Sequence, residues 1–231
     1  MQTVPLHVGT FTPSLLIDLA RTSGRFERAG LDISESAVTS SPSQFASLIA
    51  GDLDIIMTSP DNVLAYRFLS DNPLGKNVPV EIIGAIDRGL GLSLWTGPSV
   101  DGIEAVRDGS FAVDVPQSGF AFVAFALLDR AGLRPGDYVV ESLGSTPRRA
   151  TALIAGECDA TVLNAGNELR AEGGGCHVIS RVAELGPYLG TVVAALASAD
   201  PEVNATRERY VDVLLDTSRE ILAGHYEAEV V

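Results

Sequence analysis

The amino-acid sequence predicts an α/β fold of two Rossmann-like lobes joined by a hinge of two crossing strands. Three observations support this prediction: an internal repeat, the same alternation of strands and helices in both copies, and two apolar segments that would carry the chain between the lobes. The chain has 231 residues, of which 46% are hydrophobic and 20% are charged. This composition is typical of a folded protein, and the length suits one or two lobes.

The internal repeat has an offset of 105 residues. Residues 42–54 read PSQFASLIAGDLD, and residues 147–159 read PRRATALIAGECD. The same offset relates Asn62 to Asn167, and the strand-like segment around Val8 to the one around Val113. A further R-A-G-L sequence occurs at 28–31 and again at 130–133, which is an offset of 102. Two copies in one order, with a slip of three residues, indicate a duplicated structural unit.

Each copy is predicted to be a βαβαβ unit, the building block of an open parallel sheet. The first copy has a strand, a helix capped by Thr12, a strand, a helix closed by Gly51 and a strand, over residues 6–10, 12–24, 32–38, 44–50 and 53–58. The second copy repeats this order with Ser118 as the first cap and Gly156 as the second stop, over residues 110–115, 118–132, 137–142, 148–155 and 160–164.

Two further segments are predicted to cross between the lobes. Residues 80–96 form an apolar stretch that a turn at 87–91 interrupts, and residues 191–198 form a second such stretch. The chain then ends in a helix over 201–223, with one apolar face: Val203, Tyr210, Val213, Leu214, Ser218 and Ile221. The first lobe would therefore comprise residues 1–85 and 190–231, and the second residues 90–187, with the hinge near 84–94 and 187–195.

Composition excludes several classes of function. The chain carries 16 basic and 30 acidic residues, a net charge of −14, which argues against nucleic-acid binding. Its longest apolar run, Phe120–Leu128, is too short to insert across a membrane. The three histidines are far apart and the two cysteines are expected to be free and buried, so neither a metal site nor a cofactor is predicted. No nucleophile or phosphate-loop motif is present, and no catalytic residue is assigned. We expect a monomer or a weak dimer.

The predicted ligand site lies where the strands of both lobes end, because ligands of open α/β sheets bind outside the carboxyl ends of the strands. Helix N-termini at these loops would favour an anionic group. Ser118 and Gly119 are the strongest candidates, although Ser118 is equally well explained as a simple helix cap. Trp95 suits stacking on a ring or packing in the core, and Arg88 suits either an anionic ligand or solvent. The full set of candidates is Thr10, Phe11, Thr12, Thr58, Ser59, Asn62, Arg88, Trp95, Gln117, Ser118, Gly119, Phe120, Asn164 and Tyr188.

Four segments carry a resemblance to a known family. They read FTPSLL from Phe11, GRFERAGLDI from Gly24, ASLIAGDLDI from Ala46 and VDVPQSG from Val113. Together with the two-lobed organisation over roughly residues 6–222, they resemble type II periplasmic binding proteins of the SsuA/THI5 (NMT1-like) family, which includes sulfonate-, nitrate- and thiamine-pyrimidine-binding proteins.

The resemblance implies a substrate-binding protein of an ABC transporter. Such a protein would capture a sulfonate, a carboxylate or a pyrimidine-like ligand in the cleft by hinge closure, and would deliver it to an ABC permease. A periplasmic location would require that a signal peptide has been removed, since the sequence shows none; otherwise the protein would be cytoplasmic. The alternative is a cytosolic lyase or decarboxylase on the same scaffold, with Asp61, Asp114 and His7 as the nearest titratable groups.

Overall fold

The computed structural model describes residues 3–89 and 91–225. Leu90 of the predicted hinge turn, and residues 1–2 and 226–231 of the predicted first lobe, lie outside the described residues. The strands are β1 Val4–Thr10, β2 Leu31–Ala37, β3 Ile55–Thr58, β4 Val80–Ala85, β5 Ser93–Thr96, β6 Ser110–Val113, β7 Val139–Ser142, β8 Ala160–Leu163, β9 His177–Arg181 and β10 Val192–Leu196. The α-helices are α1 Leu15–Thr22, α2 Arg25–Arg28, α3 Ser41–Ala50, α4 Pro60–Phe68, α5 Gly119–Arg130, α6 Thr146–Ala155, α7 Asn167–Gly173 and α8 Pro201–Leu222.

The strands form two five-stranded sheets of the same design. Their orders are β2-β1-β3-β10-β4 and β7-β6-β8-β5-β9. In each sheet the first three strands of that order run parallel, and the fourth is antiparallel to both of its neighbours. Both predicted βαβαβ units are therefore confirmed, and β5 and β10 are the strands through which the chain enters the second sheet and returns to the first.

Each sheet buries both of its faces. On the first sheet, one face packs Val8, Ile55 and Val193 against α1 and α8, and the other packs Ile56 and Val192 against α3 and α4. The second sheet has the same arrangement, with α5 on one face and α6 and α7 on the other. Helices on both faces leave the strand ends as the exposed part of each sheet, which is where a site can form.

The strand pairing refines the repeat. Val8 pairs with Ile55 in the first sheet, and Phe111 pairs with Ala160 in the second. The third strands are thus 105 residues apart, whereas the first strands are 103 apart, so the predicted equivalence of Val8 with Val113 is wrong by two residues. A shift of two residues leaves every side chain on the same face of the strand, so the hydrophobic pattern of the sequence does not reveal it.

Three helix starts differ from the prediction. Helix α1 is capped by Ser14 rather than Thr12, because the Glu35 carboxylate accepts hydrogen bonds from the Ser14 N–H and the Thr10 hydroxyl and thereby extends the loop. Helices α3 and α6 begin three and two residues earlier than predicted, with proline in the first turn. The predicted cap at Ser118 is confirmed, since its hydroxyl accepts from the Ala121 N–H at 3.0 Å.

The long C-terminal helix packs on the first sheet along only part of its length. Tyr210 and Leu214 of the predicted apolar face are buried, and Tyr210 stacks on Phe26 with ring centroids 5.7 Å apart. Val203 is exposed instead, and Val211 joins the buried side. The first turns of the helix are instead held by polar contacts, since Asn204 donates to the Ser198 carbonyl at 3.0 Å and Arg207 to the Leu196 carbonyl at 2.7 Å.

The two cysteines are free and buried, as predicted. Burial raises the pKa of the Cys158 thiol to about 12, which keeps it protonated and unreactive at neutral pH. None of the described helices combines the length and the apolar character that crossing a bilayer requires.

Candidate functional site

A cavity of about 380 Å³, called here the central cavity, opens between the carboxyl ends of the strands of the two sheets. Both lobes line it, since Thr10 and Thr58 end strands of the first sheet and Asp114 and Asn164 follow strands of the second. Eight of the residues that the sequence predicted as ligand contacts line it: Thr10, Phe11, Thr12, Thr58, Ser59, Asn62, Phe120 and Asn164.

The other predicted residues lie beside the cavity or away from it. Gln117 and Arg88 are exposed, and Arg88 lines a smaller recess next to the cavity together with Glu168. Trp95 is buried in the second sheet, where its indole N–H donates to the Ser93 hydroxyl at 2.8 Å. Its place in the core leaves no ring face for a ligand in the central cavity. Tyr188 is half-buried and donates a hydrogen bond to Asp61.

Arg149 is the charged group that sequence reasoning missed. It projects from α6 into the cavity lining, is 1% exposed, and lies with its guanidinium carbon 5.1 Å from the centroid of the Phe120 ring. Burial lowers its pKa to about 10, and the charge of nearby Asp114 opposes this shift. Arg149 therefore stays positively charged at neutral pH. The internal repeat was the sequence signal for a buried Arg149, because the equivalent residue 105 positions earlier, Gln44, is also a polar residue at a buried helix position.

The acceptors of Arg149 are all neutral. Its Nε donates to the Thr161 hydroxyl at 3.2 Å, and its Nη1 to the Gly144 carbonyl at 2.5 Å. Its Nη2 donates to the Thr146 hydroxyl at 3.1 Å and to the Val162 carbonyl at 3.3 Å. These bonds use four of the five guanidinium hydrogens and leave one on Nη1. Within the described residues no salt bridge joins this cation to a carboxylate.

Asp114 provides the buried negative charge of the cavity. It directly follows β6, is 3% exposed, and accepts a hydrogen bond from the Ser118 hydroxyl at 2.5 Å through Oδ1. Its Oδ2 is buried and has no hydrogen-bond partner among the described residues. Ser118 thus caps α5 and orients Asp114 at the same time, and it lies behind the cavity lining rather than in it.

The N-termini of α4 and α5 meet directly across the cleft. A Cβ atom added to Gly119 would lie 1.9 Å from the carbonyl carbon of Asp61, so only glycine permits this approach. The Phe120 N–H points to the Asn62 side-chain oxygen at 3.4 Å. On the other side of the cleft, the Asn167 amide donates to the Thr12 hydroxyl at 3.3 Å. These contacts bring the two lobes together around the cavity.

Asp61 and Tyr188 form another link across the cleft. Burial raises the pKa of the Asp61 carboxyl, and the hydrogen bond from Tyr188 partly offsets this rise. Burial and the Asp61 charge both raise the pKa of Tyr188, so the phenol remains a proton donor. Neither residue lines the central cavity.

The two crossing segments are bound to each other beside the cavity. The Asp87 carboxylate accepts from the Gly89 N–H at 2.6 Å and the Thr191 N–H at 2.8 Å. The Ile86 N–H donates to the Thr191 carbonyl at 3.1 Å, and the Gly190 N–H donates to the Asp87 carbonyl at 3.2 Å. The segments therefore flank the cavity as a pair, with Asp87 as their common acceptor.

The titratable groups that the enzyme alternative named lie in three different places. Of the three titratable groups named as candidates for the enzyme alternative, Asp114 lines the central cavity, whereas Asp61 lies beside it and His7 lies exposed on β1. Among the described residues, no cluster of three or more histidine, cysteine or carboxylate side chains could hold a metal ion.

No protein-family model matches the sequence, and no curated protein matches it significantly. Solved structures do match. The alkanesulfonate-binding protein SsuA of Xanthomonas axonopodis pv. citri, solved with MOPS bound, has a TM-score of 0.73 and 15% identity, over 94% of this chain and 74% of that chain. The periplasmic nitrate-binding protein NrtA of Synechocystis PCC 6803 has a TM-score of 0.76 and 12% identity, over 93% and 61%.

A third solved structure is PhnD1 of Prochlorococcus marinus MIT 9301 in complex with methylphosphonate. It has a TM-score of 0.64 and 14% identity, over 95% of this chain and 89% of that chain. The structural agreement establishes the fold, whereas identities this low leave the ligand open. The chain therefore has the fold of the type II periplasmic binding proteins, as its sequence motifs indicated.

Proposed function

We propose that this chain is a solute-binding protein that captures a small organic ligand with an anionic group in the central cavity. The observation that carries the proposal is Arg149, a fully buried cation that lines the cavity and has only neutral protein acceptors. A buried cation that no carboxylate contacts directly is costly, and an anionic ligand would supply the missing direct partner. Its remaining Nη1 hydrogen would donate to the ligand.

The rest of the lining suits a ligand that is small and only partly polar. The hydroxyl groups of Thr58 and Ser59, which accept hydrogen bonds from Asn62 and keep their own hydrogens, would donate to an oxyanion, and Phe11 and Phe120 would cover an apolar or ring-shaped part. Sulfonates, carboxylates and pyrimidine-like compounds are the classes to test. The three similar structures support this choice by analogy, since MOPS, nitrate and methylphosphonate all carry an anionic group.

The mechanism that we propose is hinge closure. The first lobe would comprise residues 1–85 and 190–231 and the second residues 90–187, with bending near 84–94 and 187–195. Contacts across the cleft, such as Asn167 to Thr12, would form only when the lobes close, so ligand binding would favour the closed form. We propose that the chain acts outside the cytoplasm and that an ABC permease would recognise the closed form.

The first test is native mass spectrometry of freshly purified protein, with the denatured mass as reference. A retained small anion supports the proposal and identifies the ligand class. Purified protein is next screened by thermal shift with sulfonates, carboxylates and pyrimidines, and each hit is measured by titration calorimetry. Failure of every small anion to bind contradicts the proposal. A hit that is consumed during incubation would instead identify a lyase or decarboxylase.

A further inference from the structure

The charge balance of the central cavity is unusual for a site that takes a simple anion. Its charged lining residues, within the part of the chain that the structure describes, are Arg149, Asp114 and Asp87. Two carboxylates and one guanidinium give this lining a net charge of −1. An ordinary alkyl anion would gain the attraction of Arg149 but would also meet the repulsion of a buried carboxylate.

Asp87 and Asp114 differ in how many of their carboxylate oxygens already accept a hydrogen bond. Asp87 is exposed, and both of its oxygens accept backbone N–H groups of the crossing segments. Asp114 is 3% exposed and has a donor only at Oδ1. Its Oδ2 is buried and has no partner among the described residues, although Asp114 lines the cavity. Such an oxygen retains the cost of its desolvation until a donor arrives.

Arg149, in turn, has a hydrogen-bond donor without an acceptor. Its four used hydrogens go to neutral oxygens, and one Nη1 hydrogen is left. The cavity therefore presents an unpaired donor with positive charge and an unpaired acceptor with negative charge, on α6 and at the end of β6. The two are close enough for the Asp114 charge to raise the pKa of Arg149, yet no salt bridge joins them. A ligand with both charges would satisfy both groups at once.

We propose that the ligand is a small zwitterion, with its anionic group on Arg149 and a protonated amine that donates to Oδ2 of Asp114. This inference rests on the proposed function and narrows its ligand class. The Ser118 hydroxyl takes Oδ1 of Asp114 and so leaves Oδ2 for the ligand. The acidic side of the cavity then serves to reject anions that lack the amine.

The test compares ligands that differ only in an amine or a methyl group, by titration calorimetry at pH 7. The pairs are 2-aminoethanesulfonate with propane-1-sulfonate, 3-aminopropanoate with butanoate, and 2-aminoethylphosphonate with propylphosphonate. We expect the amine to bind at least about tenfold more tightly in one or more pairs, the effect of one charge-assisted hydrogen bond.

The variant Asp114→Asn adds a result that misfolding cannot imitate. Asparagine keeps an acceptor for Ser118 but removes the negative charge. The variant should lose the preference for the amine and bind the methyl analogue more tightly than the wild-type protein does. Asp129→Asn, on the exposed side of α5, is the control for the loss of one negative charge and should keep the preference.

The outcomes separate this inference from the proposed function. Equal binding of amine and methyl analogues overturns the zwitterion and leaves an anion-binding protein. Both phosphonates binding equally well, with an affinity that falls as the pH rises through their second ionisation, is another contrary result. It would mean that the P–OH group of the phosphonate, and not an amine, donates to Asp114, and it would also overturn the zwitterion. If no compound of either series binds, the proposed function itself fails.

Discussion

Gln44 and Arg149 hold the same position in the two repeats. Each lies buried in the second helix of its βαβαβ unit, 105 residues apart, and each donates a side-chain N–H to a backbone carbonyl of the third strand. The acceptors, Met57 at 3.0 Å and Val162 at 3.3 Å, are themselves 105 residues apart. The duplicated unit thus keeps one structural bond in both copies, while only the second copy adds a charge to the central cavity.

This equivalence predicts the effect of Arg149→Gln. The glutamine should keep the bond to the Val162 carbonyl, as Gln44 does with Met57, so the variant should fold. The glutamine cannot make all four hydrogen bonds of the guanidinium, so the free energy of unfolding should fall by about 1–3 kcal/mol. Affinity for an anionic ligand should fall about 10- to 100-fold, the effect of one charge-assisted hydrogen bond. Titration calorimetry measures the affinity, and circular dichroism checks the fold.

The matched control is Arg148→Gln, because Arg148 is the exposed neighbour of Arg149 on the same helix. It removes the same charge from the protein without touching the cavity and should leave affinity unchanged. Equal losses in both variants would mean that overall charge, rather than the buried guanidinium, attracts the ligand.

Ser118→Ala tests the double role of this hydroxyl. The change removes the cap of α5 and, within the part of the chain that the structure describes, the one donor to Asp114. Loss of a cap costs about 0.5–2 kcal/mol, and a buried carboxylate left without its donor adds about 1–3 kcal/mol. Urea denaturation should therefore show a clear drop in the free energy of unfolding.

Ser145→Ala is the control for this change. Ser145 occupies the N-cap position of α6, but its side chain makes no capping hydrogen bond. Its replacement should change the free energy of unfolding by a few tenths of a kcal/mol at most. A similar loss in both variants would rule out the special role assigned to Ser118.

Local sequence signals predicted the order of the elements well. The glycine stops at Gly51 and Gly156 have φ of 80° and 71°, the left-handed conformation that ends a helix. Prolines and caps marked most helix starts to within a few residues. Each of these signals depends on backbone geometry within one turn of the chain, so a single sequence contains it.

The side-chain content of the site was less predictable, because it depends on packing between distant segments. Arg148 and Arg149 are neighbours in sequence, and only the rotation of α6 against its sheet decides which one is buried. Gly119 was predicted as a ligand contact, whereas its requirement for glycine comes from α4, nearly 60 residues away. Such constraints are invisible until the two lobes are placed together.

Gly119→Ala should hold the lobes apart. The added methyl would occupy the space of the Asp61 backbone, which cannot move without its helix, so the closed arrangement would become strained. Overpacking of this kind costs about 1–3 kcal/mol. We expect a larger radius of gyration by small-angle X-ray scattering with ligand present, and weaker binding. Gly173→Ala places a methyl in open space and is the control. Unchanged scattering and affinity in Gly119→Ala would contradict the proposed closure.

Asp61 should make stability depend on pH in a defined direction. Burial raises the pKa of its carboxyl in the folded protein above the ordinary value of 3.8, so the unfolded chain releases this proton first. Below pH 3.8 the group is protonated in both states and has no effect. As the pH rises from 3.8 through the raised value, ionisation favours the unfolded chain and the folded protein loses stability.

Asp61→Asn cannot ionise. Its free energy of unfolding relative to that of the wild-type protein should therefore increase across this pH interval and stay constant above it. Urea denaturation at a series of pH values measures the difference. Tyr188→Phe removes the hydrogen bond that lowers the pKa of Asp61, and should therefore extend the interval to higher pH. Asp129→Asn corrects for the loss of one surface charge. A difference that is flat with pH would mean that Asp61 is solvated, and that its bond to Tyr188 does not hold the cleft closed.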